Sequence, residues 1–180
     1  MTIVERLLDR RRAQRDPVAF ARSLGVKIHG SVRFYGIDRS MFGSEPWLIT
    51  LGDNVYITAG CQFITHDGGT LILRKTYPDL EWTAPIEIGD DVYLGLRTMI
   101  LPGVAVGDRV IVAAGSIVTK DVPSDSVVAG VPARVICSMD DYVERMKSKS
   151  LGIGHLRGAE KDRELRRLHE EGRVRLNRES

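Results

Sequence analysis

A six-residue repeat between Ile88 and Pro123 constrains the fold of this chain more than any other feature of its sequence. An aliphatic residue recurs at every sixth position, and a small or β-branched residue stands four positions after each. The aliphatic positions are Ile88, Leu94, Ile100, Val106, Val112 and Val118, followed by Val92, Thr98, Val104, Val110, Ser116 and Val122. Neither the helix period of 3.6 nor the strand alternation of two gives this spacing. It is typical of a parallel β-helix, in which each hexapeptide forms a short strand and a corner.

The repeat also predicts which residues lie above one another. Three hexapeptides make one coil of about 18 residues. We therefore expect Ile88 to stack on Val106, Leu94 on Val112 and Ile100 on Val118. The alternative, a run of strands in an ordinary β-sandwich, does not require six consecutive aliphatic positions in phase.

A weaker form of the pattern precedes the main repeat. Ile28 and Phe34 are in phase, and the repeat resumes at residues 51, 57 and 63. Cys61 falls in a small-residue position of this part, so we interpret it as a core residue and not as a nucleophile. Residues 65–85 have no six-residue phase and contain two glycines and two prolines. An irregular segment of this length inside a solenoid indicates a functional excursion.

Helices are predicted at both ends of the repeat. Residues 2–14 are interpreted as an amphipathic helix with Ile3, Leu7 and Leu8 on one face. Asp16 and Pro17 predict the start of a second helix that ends at Gly25. We expect these helices to close one end of the coil stack, because a solenoid end exposes unpaired backbone. Residues 124–138 are interpreted as a loop with a final irregular strand, followed by helices over 139–149 and 159–171.

These elements predict three regions: an N-terminal helical cap over 1–25, a β-helix over 26–137 with an excursion at about 67–85, and a helical extension over 138–180.

Composition excludes several classes of function. The net charge of +2 is too balanced to indicate a nucleic-acid partner. No stretch is apolar for long enough to predict a membrane span, and the N-terminus has no secretory signal pattern. Cys61 and Cys137 lie far apart and form no CxxC, which favours a reduced, cytoplasmic protein.

His66 is the first candidate for chemistry, because it stands where the repeat gives way to the excursion. A histidine can act as a general base at neutral pH, although a lone histidine is more often a surface or packing residue. Asp67 follows it and could orient His66, but adjacent side chains on a strand point apart, so Asp67 could instead serve a bound substrate or a neighbouring subunit. Lys120 and Arg134 bracket the end of the repeat and are either phosphate ligands or ordinary solvated charges.

Several motifs in order resemble one known family. The segments IGDDVYLG, ILPGVAVGD, VAAGSIVTKDVP and VVAGVPARVI are similar to the CoA-binding half of hexapeptide-repeat acyltransferases. The family includes galactoside, maltose and xenobiotic acetyltransferases. The segments FGSEPWLITLGDNVYI and FITHDGGT resemble those of O-acetyltransferases associated with polysaccharide synthesis. The resemblance covers about residues 20–138.

The resemblance implies a left-handed parallel β-helix, a homotrimer and active sites between subunits. It implies an acetyl-CoA donor and a sugar hydroxyl of a glycan or polysaccharide precursor as acceptor. His66 matches the family's general base, with Asp67 as a second catalytic candidate. The family's donor-binding positions correspond to Gly95, Leu96, Ala113 and Ala114 for the pantetheine arm and to Thr119, Lys120 and Arg134 for the adenosine and phosphates. Asp38 and Glu45 are candidates for acceptor binding.

Other activities on the same fold stay open at this point. An N-acetyltransferase of an amino sugar and an antibiotic-modifying acetyltransferase would share His66 and the donor residues. A non-catalytic trimeric scaffold would not need them. A γ-class carbonic anhydrase is disfavoured, because its zinc needs three histidines and the coils after residue 50 contain His66 alone. No metal is expected.

Overall fold

The chain winds repeatedly through three β-sheets, in a computed structural model that describes residues 3–175. The thirteen strands, β1 to β13 in chain order, are Lys27–Ile28, Val32–Tyr35, Ile49–Leu51, Val55–Thr58, Gln62–Phe63, Ile86–Ile88, Tyr93–Leu94, Met99–Ile100, Ala105–Val106, Ile111–Val112, Ile117–Val118, Ser126–Gly130 and Ala133–Ser138. Sheet A has the order β1-β3-β6-β9, sheet B has β13-β12-β10-β7-β4-β2, and sheet C has β11-β8-β5. The successive strands β6 to β11 belong to sheets A, B and C in turn, and this order occurs twice. All pairs within these sheets are parallel except β12 with β13. The predicted parallel strands are therefore confirmed.

The register of the coils agrees with the repeat. Ile88 pairs with Val106, Leu94 with Val112 and Ile100 with Val118, as predicted. In the preceding coil, Leu51 pairs with Ile88, Ile57 with Leu94 and Phe63 with Ile100. All twelve repeat positions from 88 to 122 are buried, so their aliphatic and small side chains form the interior between the three sheets. Burial of this apolar area is the main stabilising term of the fold.

A ladder of glycine–aspartate corners connects sheet A to sheet B. The Asp53, Asp90 and Asp108 carboxylates accept hydrogen bonds of 2.6, 2.7 and 2.8 Å from the amides of Ser31, Asp53 and Asp90. Each carboxylate lies against a glycine of the preceding coil. A Cβ added at Gly30, Gly52 or Gly89 would lie 2.3 Å from the accepting oxygen. The Gly-Asp dipeptides thus recur because this corner leaves no room for a side chain.

Two helices precede the coils. Helix α1 runs over Ile3–Arg15 and α2 over Pro17–Leu24. The predicted second helix is confirmed, with Asp16 accepting a hydrogen bond from the Ala19 amide at its start and Gly25 at φ +112° at its end. Helix α2 contacts β2, the end strand of sheet B. The first helix forms, but Leu7 and Leu8 are exposed. Thr2 and the side chain of Ile3 lie outside the described residues.

The end of the coil stack differs from the predicted loop and irregular strand. Strands β12 and β13 form an antiparallel hairpin, and β12 continues sheet B by pairing Val127 with Ile111 and Val128 with Val112. These partners lie 16 positions apart, whereas partners in the regular coils lie 18 apart. The shorter last coil shifts the six-residue phase, so the repeat does not predict this strand.

The described chain divides into two compact units near residue 140. Helix α3 over Met139–Lys149 crosses the boundary, and α4 over Gly158–Glu170 belongs to the second unit. The Arg167 side chain is paired with Glu164 and Glu171 on α4. Both predicted C-terminal helices are present.

We expect Leu94→Ala to lower the free energy of unfolding by about 2–5 kcal/mol, because Leu94 is fully buried between Ile57 and Val112 and its truncation leaves a cavity. Denaturant unfolding measures the change. Leu7→Ala is the matched control, since Leu7 is 57% exposed and its truncation is expected to change stability by less than about 0.5 kcal/mol. Equal effects of the two substitutions would contradict the assignment of the core.

Candidate functional site

His66 lies at the edge between sheets C and A, which we call the CA edge. It follows β5, and the excursion leaves the coil directly after it. The two ends of the excursion are joined by antiparallel backbone pairing. The Asp67 amide donates to the Trp82 carbonyl at 2.9 Å, and the Ala84 amide donates to the Thr65 carbonyl at 2.9 Å. The backbone on both sides of His66 is therefore held in place.

The imidazole of His66 has a carboxylate partner. Its Nδ1 lies 2.8 Å from Oε2 of Glu45, which also accepts a hydrogen bond of 2.6 Å from the Thr65 hydroxyl. The Thr65 hydroxyl, and then His66, hold the pKa of the Glu45 carboxyl below its usual value, although burial partly opposes them. The carboxylate is thus ionised at neutral pH and can only accept, so Nδ1 carries the proton. In the neutral form of the ring, the second nitrogen, Nε2, is then a lone-pair acceptor.

Asp67 has a different role in the structure. Its carboxylate accepts from the Gly69 amide at 2.8 Å and begins the short 3₁₀ helix Gly68–Leu73. Among the contacts of the described residues, Glu45 and not Asp67 is paired with His66. Sequence reasoning named Glu45 only as an acceptor-binding candidate. Glu45 lies 21 positions before His66 in a non-repeating segment, and no spacing signal connects the two.

The residues assigned to the pantetheine arm lie together at the edge between sheets B and C, the BC edge. Gly95 and Leu96 follow β7, and Ala113 and Ala114 follow β10 one coil later. The Gly95 amide donates to the Val112 carbonyl at 2.8 Å. A Cβ at Gly95 would lie 2.5 Å from the Ala114 amide nitrogen, so only glycine fits there. Leu96 and Ala114 are exposed and form a strip along this edge.

The charged donor-binding candidates lie elsewhere. Thr119 and Lys120 follow β11 and stand at the CA edge, two coils from His66. Arg134 is on β13, where its guanidinium donates to the Ala133 carbonyl at 2.8 Å. All three side chains are exposed. Asp38, the remaining acceptor candidate, accepts from the Ser40 amide and hydroxyl at the start of the 3₁₀ helix Arg39–Phe42.

One chain therefore brings the candidates together in two groups. His66, Thr119 and Lys120 lie at the CA edge, after the strands of sheet C, and the pantetheine candidates lie at the BC edge, before those strands. A cavity of about 240 Å³ adjoins His66, lined in part by Ser44, Thr70 and Arg74.

The cysteine prediction is confirmed. Cys61 is buried, its thiol donates to the Gly95 carbonyl at 3.3 Å, and burial raises the pKa of the thiol. Within residues 3–175, no group of three or more histidine, cysteine or acidic side chains has the arrangement of a metal site. The same range contains no helix of sufficient length and apolarity to cross a membrane.

Comparison with known proteins identifies the family. Residues 85–120 match the family model described as the hexapeptide repeat of succinyl-transferase. Protein CapG of Staphylococcus aureus is 45% identical over 121 residues, which cover 67% of this chain and 70% of CapG. The chain belongs to the hexapeptide-repeat acetyltransferase family. The predicted class of enzyme, an acyltransferase, is confirmed at this level.

The chain is also similar to other acetyltransferases. The galactoside O-acetyltransferase of Escherichia coli K12 is 39% identical over 126 residues, 69% of this chain and 60% of that enzyme. Among solved structures, a maltose O-acetyltransferase from Clostridium difficile 630 is 28% identical with a TM-score of 0.49, over 67% of this chain and 73% of that one. The acetyltransferase VCA0836 from Vibrio cholerae, solved with acetyl coenzyme A, is 30% identical with a TM-score of 0.46, over 69% and 77%.

We expect Thr65→Val to raise the pKa of Glu45 toward its ordinary value, because it removes the hydroxyl that lowers this pKa most. A lowered folded-state pKa stabilises the fold above the unfolded-state pKa, and this stabilisation is lost as the pH falls through the folded-state value. A ¹³C NMR titration of the Glu45 carboxyl measures the shift. Thr83→Val removes a donor to Glu81 instead and serves as the control. An unchanged Glu45 titration in Thr65→Val would contradict the contact.

Proposed function

We propose that this protein is an acetyl-CoA-dependent O-acetyltransferase that acts on a sugar hydroxyl of a glycan or polysaccharide precursor. The observation that carries the proposal is the pairing of His66 Nδ1 with the Glu45 carboxylate. In the neutral imidazole this contact places the proton on Nδ1, so Nε2 is the nitrogen that can accept a proton. A relative whose name states an acceptor, the galactoside O-acetyltransferase, supports the choice of a sugar hydroxyl.

His66 acts as general base in the proposed reaction. A neutral hydroxyl is a weak nucleophile, and Nε2 removes its proton as the hydroxyl oxygen attacks the acetyl carbonyl of the donor. The Glu45 carboxylate stabilises the imidazolium that forms and fixes the orientation of the ring. When the tetrahedral intermediate collapses, the carbon–sulfur bond breaks, and the imidazolium returns the proton to the thiolate of CoA. The products are the acetyl ester and free CoA.

We propose that the catalyst is a homotrimer. The CA edge of one copy carries His66, and the BC edge carries the pantetheine strip. A three-fold axis facing sheet C brings the CA edge of one copy next to the BC edge of its neighbour. The excursion carries exposed apolar side chains that are available to cover a neighbouring copy. These are Leu71, Ile72, Leu73, Tyr77, Leu80 and Trp82. We also propose that the coil is left-handed, as the family resemblance implies. The proposed regions are a cap over 1–25, a β-helix over 26–137 and an extension over 138–180.

The donor is proposed to lie in the groove between the CA edge of one copy and the BC edge of its neighbour. Exposed Leu96 and Ala114, with Gly95 and Ala113, offer the pantetheine arm small side chains and backbone groups. Thr119, Lys120 and Arg134 hold the adenosine and its phosphates, and Lys120 makes no ion pair within residues 3–175 that would compete. A cytoplasmic location is part of this proposal, because acetyl-CoA is the donor and because Cys61 and Cys137 lie far apart in the sequence and form no CxxC.

We expect His66→Ala to lower kcat by about 10²- to 10⁴-fold, the usual loss for a general base, with the trimer intact. Steady-state kinetics and size-exclusion chromatography measure the two quantities. Glu45→Gln is expected to lower kcat less and to change the pH dependence of kcat, because Glu45 acts by positioning His66. Wild-type turnover in His66→Ala would remove this residue from the mechanism.

Lys120→Ala is expected to raise the KM for acetyl-CoA by about tenfold, the effect of losing one charge-assisted hydrogen bond to a phosphate. The KM for the acceptor is expected to stay unchanged. Lys75→Ala, on the excursion, is the control for a lost surface lysine. A Lys120→Ala variant with a changed acceptor KM and a normal donor KM would contradict the assignment.

A further inference from the structure

Thr65 is a buried residue beside the proposed general base, and its hydroxyl has an unusual partner. Four hydroxyl side chains are buried among residues 3–175, and they belong to Thr65, Thr98, Ser116 and Ser126. The last three make hydrogen bonds with backbone groups. The Thr65 hydroxyl instead donates to an ionised side chain, Oε2 of Glu45, at 2.6 Å. A hydrogen bond to a charged group is roughly twice as strong as a neutral one, so this contact holds the carboxylate firmly.

The two contacts of Glu45 meet on one oxygen. Oε2 accepts from the Thr65 hydroxyl and lies 2.8 Å from Nδ1 of His66. A carboxylate oxygen has two lone pairs, so it can accept both hydrogen bonds at once. One bond to the ring leaves the carboxylate free to turn about its side-chain torsions, whereas a second bond to a fixed donor sets the position of the oxygen. Thr65 supplies that second bond.

The Glu45 side chain has few other restraints. Its residue lies between the 3₁₀ helices Arg39–Phe42 and Pro46–Leu48, and the side chain does not cap the second of them. Among the described residues, the hydrogen bonds of the carboxylate are those with Thr65 and His66. The side chain is also partly exposed, and a glutamate loses much rotamer freedom when it is fixed in one orientation. The orientation of Glu45 therefore depends on Thr65.

Thr65 itself is a fixed point of the chain. Its carbonyl accepts from the Ala84 amide at 2.9 Å, at the base of the excursion. Two residues earlier, the ring of Phe63 stacks on the ring of Phe42, with centroids 6.0 Å apart and 13° between the planes. Phe42 precedes Glu45 by three residues, and both rings are fully buried. The segment that carries Glu45 and the strand that leads to Thr65 are thus packed together next to the site.

We propose that Thr65 is a positioning residue of the transferase, whose hydroxyl holds Glu45 where it accepts the Nδ1 proton of His66. Without this hydroxyl the carboxylate can turn away from the ring. The neutral imidazole is then free to carry its proton on Nε2 instead, and in that tautomer Nε2 cannot act as the base. Thr65 thereby keeps the reactive nitrogen available, although it acts only through Glu45. The inference rests on the proposed function, because it assigns His66 as the general base.

NMR of the ring nitrogens tests the inference without an acceptor. In protein labelled with ¹⁵N-histidine, at a pH where the ring is neutral, we expect His66 of the wild type to carry its proton on Nδ1. Thr65→Val is expected to give a mixture that includes the Nε2–H tautomer, whereas Thr65→Ser keeps the hydroxyl and the wild-type tautomer. Thr58→Val is the matched control, because the Thr58 hydroxyl donates to the Leu94 carbonyl at 2.8 Å, away from His66. A wild-type tautomer in Thr65→Val would overturn the inference.

Kinetics test the consequence for turnover. With an acceptor that the wild type acetylates, we expect Thr65→Val to lower kcat by about 10- to 100-fold, the range for a displaced catalytic group, with an unchanged KM for acetyl-CoA. Thr65→Ser is expected to retain most of the wild-type kcat. Thr58→Val is expected to have the wild-type kcat, although it also loses a hydrogen bond. Should Thr65→Val not fold, Thr65→Ala compared with Thr65→Ser isolates the hydroxyl in the same way.

The outcomes separate this inference from the function on which it rests. Inactive His66→Ala together with fully active Thr65→Val would overturn the role of Thr65 and leave the transferase intact. A kcat of Thr65→Ser as low as that of Thr65→Val would also overturn it, since the hydroxyl would then not be the group that matters. Wild-type turnover by His66→Ala would overturn the proposed function and the inference together.

Discussion

The vertical stacking of one aliphatic side chain on the next is the interaction on which this structure depends. Ile57, Leu94 and Val112 form one such column through sheet B, and corresponding columns run through sheets A and C. Each strand is only two to four residues long in the coils, too short to be stable alone. The columns convert these short strands into a continuous interior. The proposed functional residues in the coils stand at or next to the corners between these strands.

Sequence reasoning predicts what repeats and misses what does not. The coil register, the core positions and the caps of α2 follow from the periodic aliphatic residues and from Asp16 and Gly25, which act locally. Strand β12 was missed, because its coil is two residues shorter than the regular ones. Leu7 and Leu8 are exposed, which shows that an apolar helical pattern in the sequence does not reveal the surface against which that helix face packs. The residues assigned to the donor remain predictions that rest on the family resemblance.

Glu45 shows most clearly why a site is harder to predict than a fold. A single carboxylate in an irregular segment has no period, and its partner lies in a different coil. The contact exists because the 3₁₀ helix Pro46–Leu48 leads into β3 and so places Glu45 near the end of β5, beside Thr65 and His66. Only the three-dimensional path of the chain shows this. Once the pair is known, the tautomer of the neutral imidazole follows from elementary hydrogen-bond rules.

Among the described residues, backbone hydrogen bonds tie the excursion to the coil at its base, where residues 65 and 67 pair with residues 84 and 82. Partner residues lie 37 positions apart across it and 18 apart in the regular coils that follow, yet the strands on its two sides remain in register. Its length and composition are thus uncoupled from the scaffold. Related chains can exchange, lengthen or rebuild this segment during evolution, and a protein engineer can graft a foreign loop at the same position, without altering the coil that supports it.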